Sequence, residues 1–343
     1  MTTVGVFYHP LCLEHDTGEH PENASRLEAI ISQIEGERPA GVEIVRPYPA
    51  SLEQVANAHD TKYIQHIRAI AANGGGYLDL DTVISPRSYK AALMGAGAGI
   101  CAVDWTFENP GSPALGLPRP PGHHAGHAFG MGFCLFNNQA IAVRHAQRRY
   151  NLKRVLIVDY DVHHGNGTQD ITEKDSSVLL FSIHQHPYYP GTGGTEETGI
   201  GDGKGYTINV PLPADSGDRA YRQTFEEILV PAARRYRPEL IMVSAGFDAH
   251  WMDPLAGMHV STTGFGELAG IVWELAVELC DGRLAGVLEG GYDPRALPAS
   301  VLATLATWTG GHVEDPFGPY HSYHQEPDIS GVLKQIRKIH HLD

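Results

Sequence analysis

Residues 155–167 have the sequence VLIVDYDVHHGNG, in which a run of aliphatic residues opens into two aspartates and two histidines. The four residues Val155–Val158 predict a strand that is covered on both faces, as strands of parallel sheets are. Alternation along an extended backbone places Asp159, Asp161 and His163 on one side of the chain. Grouped carboxylates raise each other's pKa unless a cation compensates them, so the cluster predicts a metal ion at the end of this strand. The alternative is a strand-end turn with a capping aspartate and solvated histidines, which explains single residues but not the cluster.

Seven further apolar runs of strand length recur along the chain, and stretches with helical spacing lie between them. The predicted strands are Val4–Tyr8, Val42–Val45, Ala114–Leu117, Val178–Ile183, Tyr206–Val210, Leu240–Val243 and Leu284–Leu288. The predicted helices are Ala24–Ile34, Thr61–Ala72, Ser88–Trp105, Asn138–Tyr150, Asp218–Tyr236, Thr263–Leu279 and Pro294–Thr307. This alternation predicts an α/β fold with a central, largely parallel sheet. No linker or repeat divides the chain, so we expect one domain over residues 1–343, in which residues from about 310 onward wrap irregularly and end in a short helix.

The charge balance limits the partners of this protein. Its 343 residues include 25 Lys and Arg against 40 Asp and Glu, which gives a formal net charge of −15. Such an acidic surface repels phosphate backbones, so we expect no direct binding to nucleic acid, and it attracts cationic ligands. The first ten residues, MTTVGVFYHP, lack the features of a secretory signal, and no apolar run reaches the roughly 18 residues that cross a bilayer. We therefore expect a cytoplasmic protein with no membrane partner and with its four cysteines reduced.

A further aspartate follows another predicted strand. Ligands of open parallel sheets bind beyond the carboxyl ends of the strands, so the polar residues after each apolar run are the candidate site residues. Asp248 follows Leu240–Val243 in the segment SAGFDAH and completes a ligand set with Asp161 and His163. Three protein ligands with an open position are typical of a catalytic zinc site. Taken alone, Asp248 would more often cap a helix. Two carboxylates and one imidazole also suit Fe²⁺, which is the alternative metal.

Two adjacent histidines follow the run that ends at Leu117, in the segment RPPGHHAGH. A rigid Pro-Pro-Gly stretch before them is typical of positioned acid–base groups, and an imidazole with a pKa of about 6.5 suits proton transfer at neutral pH. A solvated histidine pair in a loop is the alternative. Asp159 and Asn166 are each expected to accept a hydrogen bond from one of the two imidazoles, His123 and His124, and so to fix the tautomer.

Aromatic residues beside glycines complete the candidate site. Tyr292 follows two glycines in the segment LEGGY, and a tyrosine hydroxyl beside a metal can hydrogen-bond a developing oxyanion. The alternative is an ordinary turn, in which Gly-Gly-Tyr also occurs. Phe133 follows Gly132, and Tyr189 belongs to a Tyr-Tyr pair. Neighbouring glycines indicate exposure along a cleft, whereas aromatic residues in apolar surroundings are more often core, and both interpretations stay open.

Taken in chain order, these segments resemble a known family. RPPGHHA, DYDVHHGNGTQ, FSIH, SAGFDAH and LEGGY, preceded by His20-Pro21-Glu22, resemble the zinc-dependent histone deacetylase superfamily. That superfamily also includes acetylpolyamine amidohydrolases and acetoin-utilisation proteins, and the FDAH and HHGNGTQ variants resemble its class II branch and bacterial relatives. The motifs extend over most of the chain, from His20 to Tyr292. The resemblance implies an arginase/deacetylase fold, with a mostly parallel eight-stranded sheet.

The resemblance also implies a role for each candidate residue. The residues implied to bind zinc are Asp161, His163 and Asp248. The residues implied to act in catalysis are His123, His124, Asp159, Asn166 and Tyr292. The residues implied to hold a structural potassium ion, partly through backbone carbonyls, are Asp159, Asp161, His163, Ser182 and Ile183. The residues implied to contact substrate or product are Gly132, Phe133, Tyr189, Leu255, Asp81 at the tunnel rim and Arg26 near the acetate exit.

The implied reaction is hydrolysis of an N-acyl amide to acetate and a free amine, with His124 as general base and His123 acting electrostatically. Acetylated lysine in proteins or peptides and acetylated small amines such as polyamines offer the same bond. In the polyamine-preferring eukaryotic branch, a glutamate near the tunnel mouth binds the distal ammonium group, whereas bacterial polyamine enzymes use other devices. Leu255 occupies that position here, which favours an acyl-lysine substrate without excluding the polyamine alternative.

Two other classes of function are less favoured by the sequence. A catalytically silent binding protein on the same fold would lack Tyr292, a tandem histidine or a metal ligand, and all of these residues are present. A binuclear, arginase-like hydrolase would need more carboxylate ligands than one cluster plus Asp248 supplies. The sequence leaves the acyl-chain preference and the oligomeric state open, a homo-oligomer included.

Overall fold

The computed structural model describes residues 2–37, 39–312, 314–320 and 325–342. A parallel sheet of eight strands forms its centre, in the order β2-β1-β5-β10-β9-β6-β7-β8, and two short strands pair antiparallel beside it. The strands are β1 (Val4–Phe7), β2 (Val42–Val45), β3 (Gly76–Tyr77), β4 (Val83–Ile84), β5 (Ala114–Gly116), β6 (Val155–Asp159), β7 (Val178–Gln185), β8 (Thr207–Leu212), β9 (Leu240–Ala245) and β10 (Leu284–Leu288).

Helices cover both faces of this sheet. They are α1 (Ser25–Glu37), α2 (Leu52–Ala56), α3 (Thr61–Ala72), α4 (Ser88–Glu108), α5 (Asn138–Tyr150), α6 (Asn166–Thr172), α7 (Asp218–Thr224), α8 (Val230–Tyr236), α9 (Thr262–Cys280), α10 (Ala296–Thr309) and α11 (Ser330–His340). Helices α4 and α5 pack on one face, α1, α9 and α10 pack on the other, and α11 packs beside β8. The predicted α/β class with a mostly parallel sheet is confirmed.

Strand β6 shows why these apolar runs become central strands. Val155 and Ile157 belong to the apolar cluster under α4 and α5, whereas Leu156 and Val158 belong to the cluster on the opposite face. Successive side chains of a strand point to opposite faces, so a strand buried on both faces must be apolar at every position. The continuous hydrophobic run is therefore a consequence of the two helical layers.

The polar residues after β6 do not continue the strand, so the expectation of alternation along an extended backbone is wrong. The strand ends at Asp159, and two short-range hydrogen bonds turn the chain. The N–H of Asp161 donates to Oδ1 of Asp159 (3.2 Å), and the N–H of His163 donates to Oδ1 of Asp161 (2.9 Å). Aspartate side chains that bond the backbone two residues on compete with the ladder of a sheet, which explains why the strand stops here.

Several element bounds also differ from prediction. The segment Asp218–Tyr236 is helical throughout, but a π-helical turn at Phe225–Leu229 separates α7 from α8, just before Pro231, which has no N–H to donate. Helices α2 and α6 and the pair β3–β4 are too short to show a periodicity and were not predicted. In the predicted wrap, the described residues between α10 and α11 contain no helix or strand, while residues 313 and 321–324 lie outside the described ranges. The single-domain organisation stays a prediction.

The sheet order places four loops side by side. Strands β5, β10, β9 and β6 are neighbours, and all four run in the same direction. Their carboxyl ends therefore open at one edge, where the segments that follow them carry the candidate site residues.

Candidate active site

The three predicted metal ligands converge in a buried cluster. Ligand atoms of Asp161, His163 and Asp248 all lie within 4.8 Å of one another. The Nδ1 atom of His163 is 3.2 Å from Oδ1 of Asp161 and 3.1 Å from Oδ2 of Asp248. Two carboxylates and one imidazole that meet at one point fit a divalent cation such as zinc or ferrous iron. The donor set fits the predicted metal, although both Asp161 and Asp248 lie in loops and not on their strands.

The remaining oxygens of these carboxylates are held by backbone N–H groups. Gly290 donates to Oδ2 of Asp161 (2.7 Å), and Val162 donates to Oδ1 of Asp248 (2.9 Å). A glycine is required at position 290, because a Cβ atom there would lie 2.0 Å from Oδ2 of Asp248 and 2.6 Å from Oδ2 of Asp161. The first glycine of the LEGGY segment therefore allows the β10 loop to approach the ligand cluster closely.

The electrostatics of the cluster also favour a cation. Burial and the neighbouring charge of Asp161 raise the pKa of Asp248. Burial also raises the pKa of Asp161, but His123 and His163 outweigh it, so this pKa lies below its ordinary value. Two buried carboxylates that share one site oppose each other's ionisation, and a cation between them relieves this opposition.

The tandem histidines have different partners. Nδ1 of His123 lies 3.2 Å from Oδ2 of Asp159, and Nδ1 of His124 lies 2.7 Å from Oδ1 of Asn166. Burial lowers the pKa of His123, but Asp161 and Asp159 outweigh burial and raise it to about 10. For His124, burial and the neighbouring His123 and His163 all lower the pKa. Two imidazoles with opposite pKa shifts have separate roles available to them, one as a cation and one as a proton acceptor.

A narrow slot of about 80 Å³ leads to the ligand cluster. Its lining residues are Asp81, His124, Gly132, Phe133, His163, Tyr189, Leu255 and Tyr292. The rings of Phe133 and Tyr292 stand edge-to-face with centroids 5.9 Å apart, and Tyr189 stands edge-to-face with His124 at 5.2 Å. The cleft interpretation of Phe133 and Tyr189 therefore describes their position better than the core interpretation.

Gly132 has a specific role in this wall. Its backbone φ is +53°, and a Cβ atom there would lie 2.4 Å from Cδ2 of His124. A side chain at this position would be strained and would collide with the imidazole. The glycine neighbours of the aromatic residue thus allow the Phe133 loop to reach the tandem histidines.

Arg26 does not line the slot. Its guanidinium is buried and stands over the Tyr292 ring, with Cζ 4.8 Å from the ring centroid. It donates to the carbonyls of Gly291 (2.7 Å) and Glu289 (2.5 Å) and to Oε1 of Glu22 (3.2 Å). Its position is therefore behind the tyrosine, on the interior side.

Three of the residues predicted to hold potassium, Asp159, Ser182 and Ile183, lie on the neighbouring strands β6 and β7. Strand pairing places Ser182 directly opposite Asp159, with Ile183 next along β7. This brings the two strands of the predicted set together, and the potassium ion itself stays a prediction.

Two residues of the site, Glu289 and Tyr188, have contacts that the sequence did not predict. Oε2 of the buried Glu289 accepts the N–H groups of Gly122 (2.6 Å) and His123 (3.1 Å), which fixes the backbone of the tandem-histidine segment. Tyr188 stacks on His163 with ring centroids 5.7 Å apart and donates from its hydroxyl to the carbonyl of Leu255 (2.8 Å). A carboxylate directly after an apolar strand was the available signal for Glu289; nothing in the sequence distinguished Tyr188 from Tyr189.

Comparison with known proteins identifies the family. The family model described as histone deacetylase domain matches residues 20–308. The chain belongs to the histone deacetylase family. Histone deacetylase 14, chloroplastic, of Arabidopsis thaliana is 41% identical over 96% of this chain and 83% of that protein. The histone deacetylase-like amidohydrolase of Pseudomonas aeruginosa is 36% identical over 90% of this chain and 87% of that protein.

A solved structure supports the fold of this histone deacetylase family member. The crystal structure of the HDA15 HD domain matches with a TM-score of 0.88 and 32% identity, covering 99% of this chain and 94% of that chain. The arginase/deacetylase fold is thereby confirmed, as is the resemblance on which it was predicted. Within the described ranges, no helix is both long and apolar enough to cross a bilayer.

Proposed function

We propose that this deacetylase family member is a zinc-dependent amidohydrolase that removes acetyl groups from lysine side chains of proteins or peptides and releases acetate. One observation carries the proposal. The ligand set Asp161, His163 and Asp248 lies at the end of a slot lined by His124 and Tyr292. A ligand cluster, a proton acceptor and a hydroxyl donor around one narrow space are the groups that hydrolysis of an amide requires.

Asp161, His163 and Asp248 would hold the metal, which supplies Lewis-acid polarisation of a carbonyl and a lowered pKa for water when bound. His124 acts as the general base, because its pKa is lowered and its Nδ1 hydrogen-bonds the amide oxygen of Asn166. That bond places the ring proton on Nδ1 and leaves Nε2 free to accept one. After accepting a proton, the same nitrogen can return it to the leaving amine.

His123 and Tyr292 stabilise charge in this scheme. The Asp159 carboxylate beside Nδ1 favours the protonated form of His123, so this imidazole contributes electrostatically. Burial raises the pKa of Tyr292, which keeps its hydroxyl protonated and able to donate to a developing oxyanion. We also propose that Asp159, Asp161, His163, Ser182 and Ile183 hold a structural potassium ion, as the pairing of β6 with β7 allows.

The slot walls favour an acyl-lysine side chain as the substrate. The aromatic rings of Phe133 and Tyr189 line the slot and suit an aliphatic chain, and Leu255 presents no charge there. An extended methylene chain fits such walls, whereas leucine offers no ion pair to the second ammonium group of a polyamine.

Hydrolysis of a small acetylated amine is the second candidate. The carboxyl of Asp81 also lines the slot, close to that of Asp79. Carboxylates at the entrance offer a partner to a distal ammonium group, which an acetylpolyamine has and a neutral peptide lacks.

Side-by-side kinetics test the proposal. We expect the purified, zinc-loaded protein to hydrolyse an acetyl-lysine peptide with kcat/KM at least about tenfold above that for acetylputrescine and acetylspermidine. The reverse order would favour the polyamine alternative. No hydrolysis of any of the three substrates would overturn the proposed activity and favour a silent binding protein. The cytoplasmic location stays a prediction, and the Arabidopsis thaliana relative carries the word chloroplastic in its name.

A further inference from the structure

A buried carboxylate outside the slot connects two of its walls. Asp253 lies in the loop after β9, is only 7% exposed and is not among the slot-lining residues. Its Oδ1 accepts the N–H of Leu255 (2.9 Å), and its Oδ2 accepts the N–H of Tyr292 (2.6 Å). One side chain thus holds both the β9 loop and the β10 loop where each supplies a slot residue.

The β10 loop needs such an anchor because of its sequence. Tyr292 follows Gly290 and Gly291, and Gly291 adopts a φ of +117° that other residues rarely take. Glycines let the loop approach the metal ligands but leave the following residue with more backbone freedom. Arg26 fixes the loop from the interior side through the carbonyls of Glu289 and Gly291. Asp253 fixes it through the N–H of Tyr292 itself.

Burying a carboxylate is costly unless hydrogen bonds compensate it, and the Asp253 carboxylate accepts backbone N–H groups from both slot loops. Displacing a reacting group by about 1 Å can cost roughly a hundredfold in rate. We propose that Asp253 is a positioning residue: by holding Tyr292 and Leu255, it sets where the tyrosine hydroxyl stands relative to the metal ligands. This inference rests on the proposed amide hydrolysis, in which that hydroxyl stabilises the oxyanion.

Asp253→Asn tests the role, because asparagine has nearly the same size but replaces one acceptor oxygen with an NH₂ group that cannot accept an N–H. We expect kcat on the acetyl-lysine peptide to fall at least about tenfold, with a smaller change in KM and an unchanged zinc content. In a Tyr292→Phe background, the same substitution should lower kcat less than about twofold, because the hydroxyl that it positions is already absent. A merely structural role would give the same fold loss in both backgrounds.

Asp218→Asn is the matched control. Asp218 is a partly buried carboxylate, and it accepts the N–H (2.7 Å) and the hydroxyl (2.6 Å) of Ser261, outside the slot. This control should leave kcat within about twofold of wild type. If Asp253→Asn does not fold, Asp253→Ser is put through the same cycle with Tyr292→Phe.

The outcomes separate the two proposals. An active wild type with an unaffected Asp253→Asn variant, or equal losses in both backgrounds, would overturn the positioning role alone. A zinc-loaded wild type without turnover would overturn the proposed function, and the positioning role with it.

Discussion

Oδ1 of Asn166 lies 2.7 Å from Nδ1 of His124, whereas the neighbouring His123 has a carboxylate partner in Asp159. This difference suits His124 to act as the general base and His123 to act electrostatically. A neutral amide oxygen orients His124 and selects its tautomer without adding a negative charge that would favour the protonated ring. The carboxylate behind His123 does add that charge.

Replacing Asn166 with Asp should therefore change the pH dependence of the reaction. A general base works only when deprotonated, so activity is lost as pH falls through its pKa. Burial lowers the pKa of His124, which places the acidic limb of the wild-type profile below the ordinary histidine value of about 6.5. A carboxylate at position 166 raises this pKa, so the acidic limb of kcat/KM should move to higher pH. An unshifted profile would contradict the base assignment, and Asn166→Gln is the uncharged control.

Removing the hydroxyl of Tyr292 should reduce turnover without removing the metal. Loss of one oxyanion donor commonly costs about 10²–10³ in kcat, so we expect Tyr292→Phe to lose at least about a hundredfold. Because the phenyl ring keeps its contacts with Phe133 and Arg26, the zinc content should equal that of wild type. Near-normal turnover would reject the oxyanion role.

Replacing Asp248 with Ala should deplete the bound metal. The substitution removes one of three ligand side chains and leaves Nδ1 of His163 without one of its two carboxylate neighbours. Elemental analysis after dialysis should show much less than one metal ion per chain, and activity should fall in parallel. Asp281→Ala removes an exposed carboxylate elsewhere and serves as the control. A full metal content in Asp248→Ala would show that the ligand is misassigned.

Behind the site, Glu22 forms a buried ion network. Its Oε1 is 2.7 Å from Nε of Arg119 and 3.2 Å from an Arg26 guanidinium nitrogen, and His15 is 3.6 Å from its other oxygen. Burial raises the pKa of Glu22, but Arg119, His15 and Arg26 outweigh it and lower the pKa below its ordinary value. The two guanidinium groups thus depend on one carboxylate.

Replacing Glu22 with Gln should lower the free energy of unfolding by about 3–5 kcal/mol, the usual cost of removing one partner from a buried ion pair. Glu278→Gln, which breaks an exposed pair with Arg234, should cost at most about 1 kcal/mol. Chemical denaturation measures both changes in the free energy of unfolding.

The contribution of Glu22 to the free energy of unfolding is present above its unfolded-state pKa and is lost as pH falls through its lower folded-state pKa. Wild type should therefore lose more stability in acid than Glu22→Gln, and equal acid sensitivity would contradict the network's role.

The elements predicted best were those with a strong local signal. Strand Leu284–Leu288 and helices Thr61–Ala72 and Asn138–Tyr150 have the predicted bounds, because a continuous apolar run or a helical period needs no distant partner to be recognised. The path of Asp161 and His163 was not predictable in this way. Whether the backbone at these residues continues the strand or turns is decided by hydrogen bonds between the aspartate side chains and backbone N–H groups two residues on.

By itself, the sequence determined which residue types follow which strands. It thereby specified the carboxylates of the ligand cluster, the imidazoles and the tyrosine of the site. Only the tertiary structure decided that they meet. The order β5-β10-β9-β6 makes neighbours of strands that are far apart in the chain, and the Arg119–Glu22 pair joins residues 97 positions apart. Local propensity depends on adjacent residues, whereas strand order and buried pairing depend on how the helices pack against both faces of the sheet. The role inferred for Asp253 exists only because that packing brings the β9 and β10 loops within reach of one carboxylate.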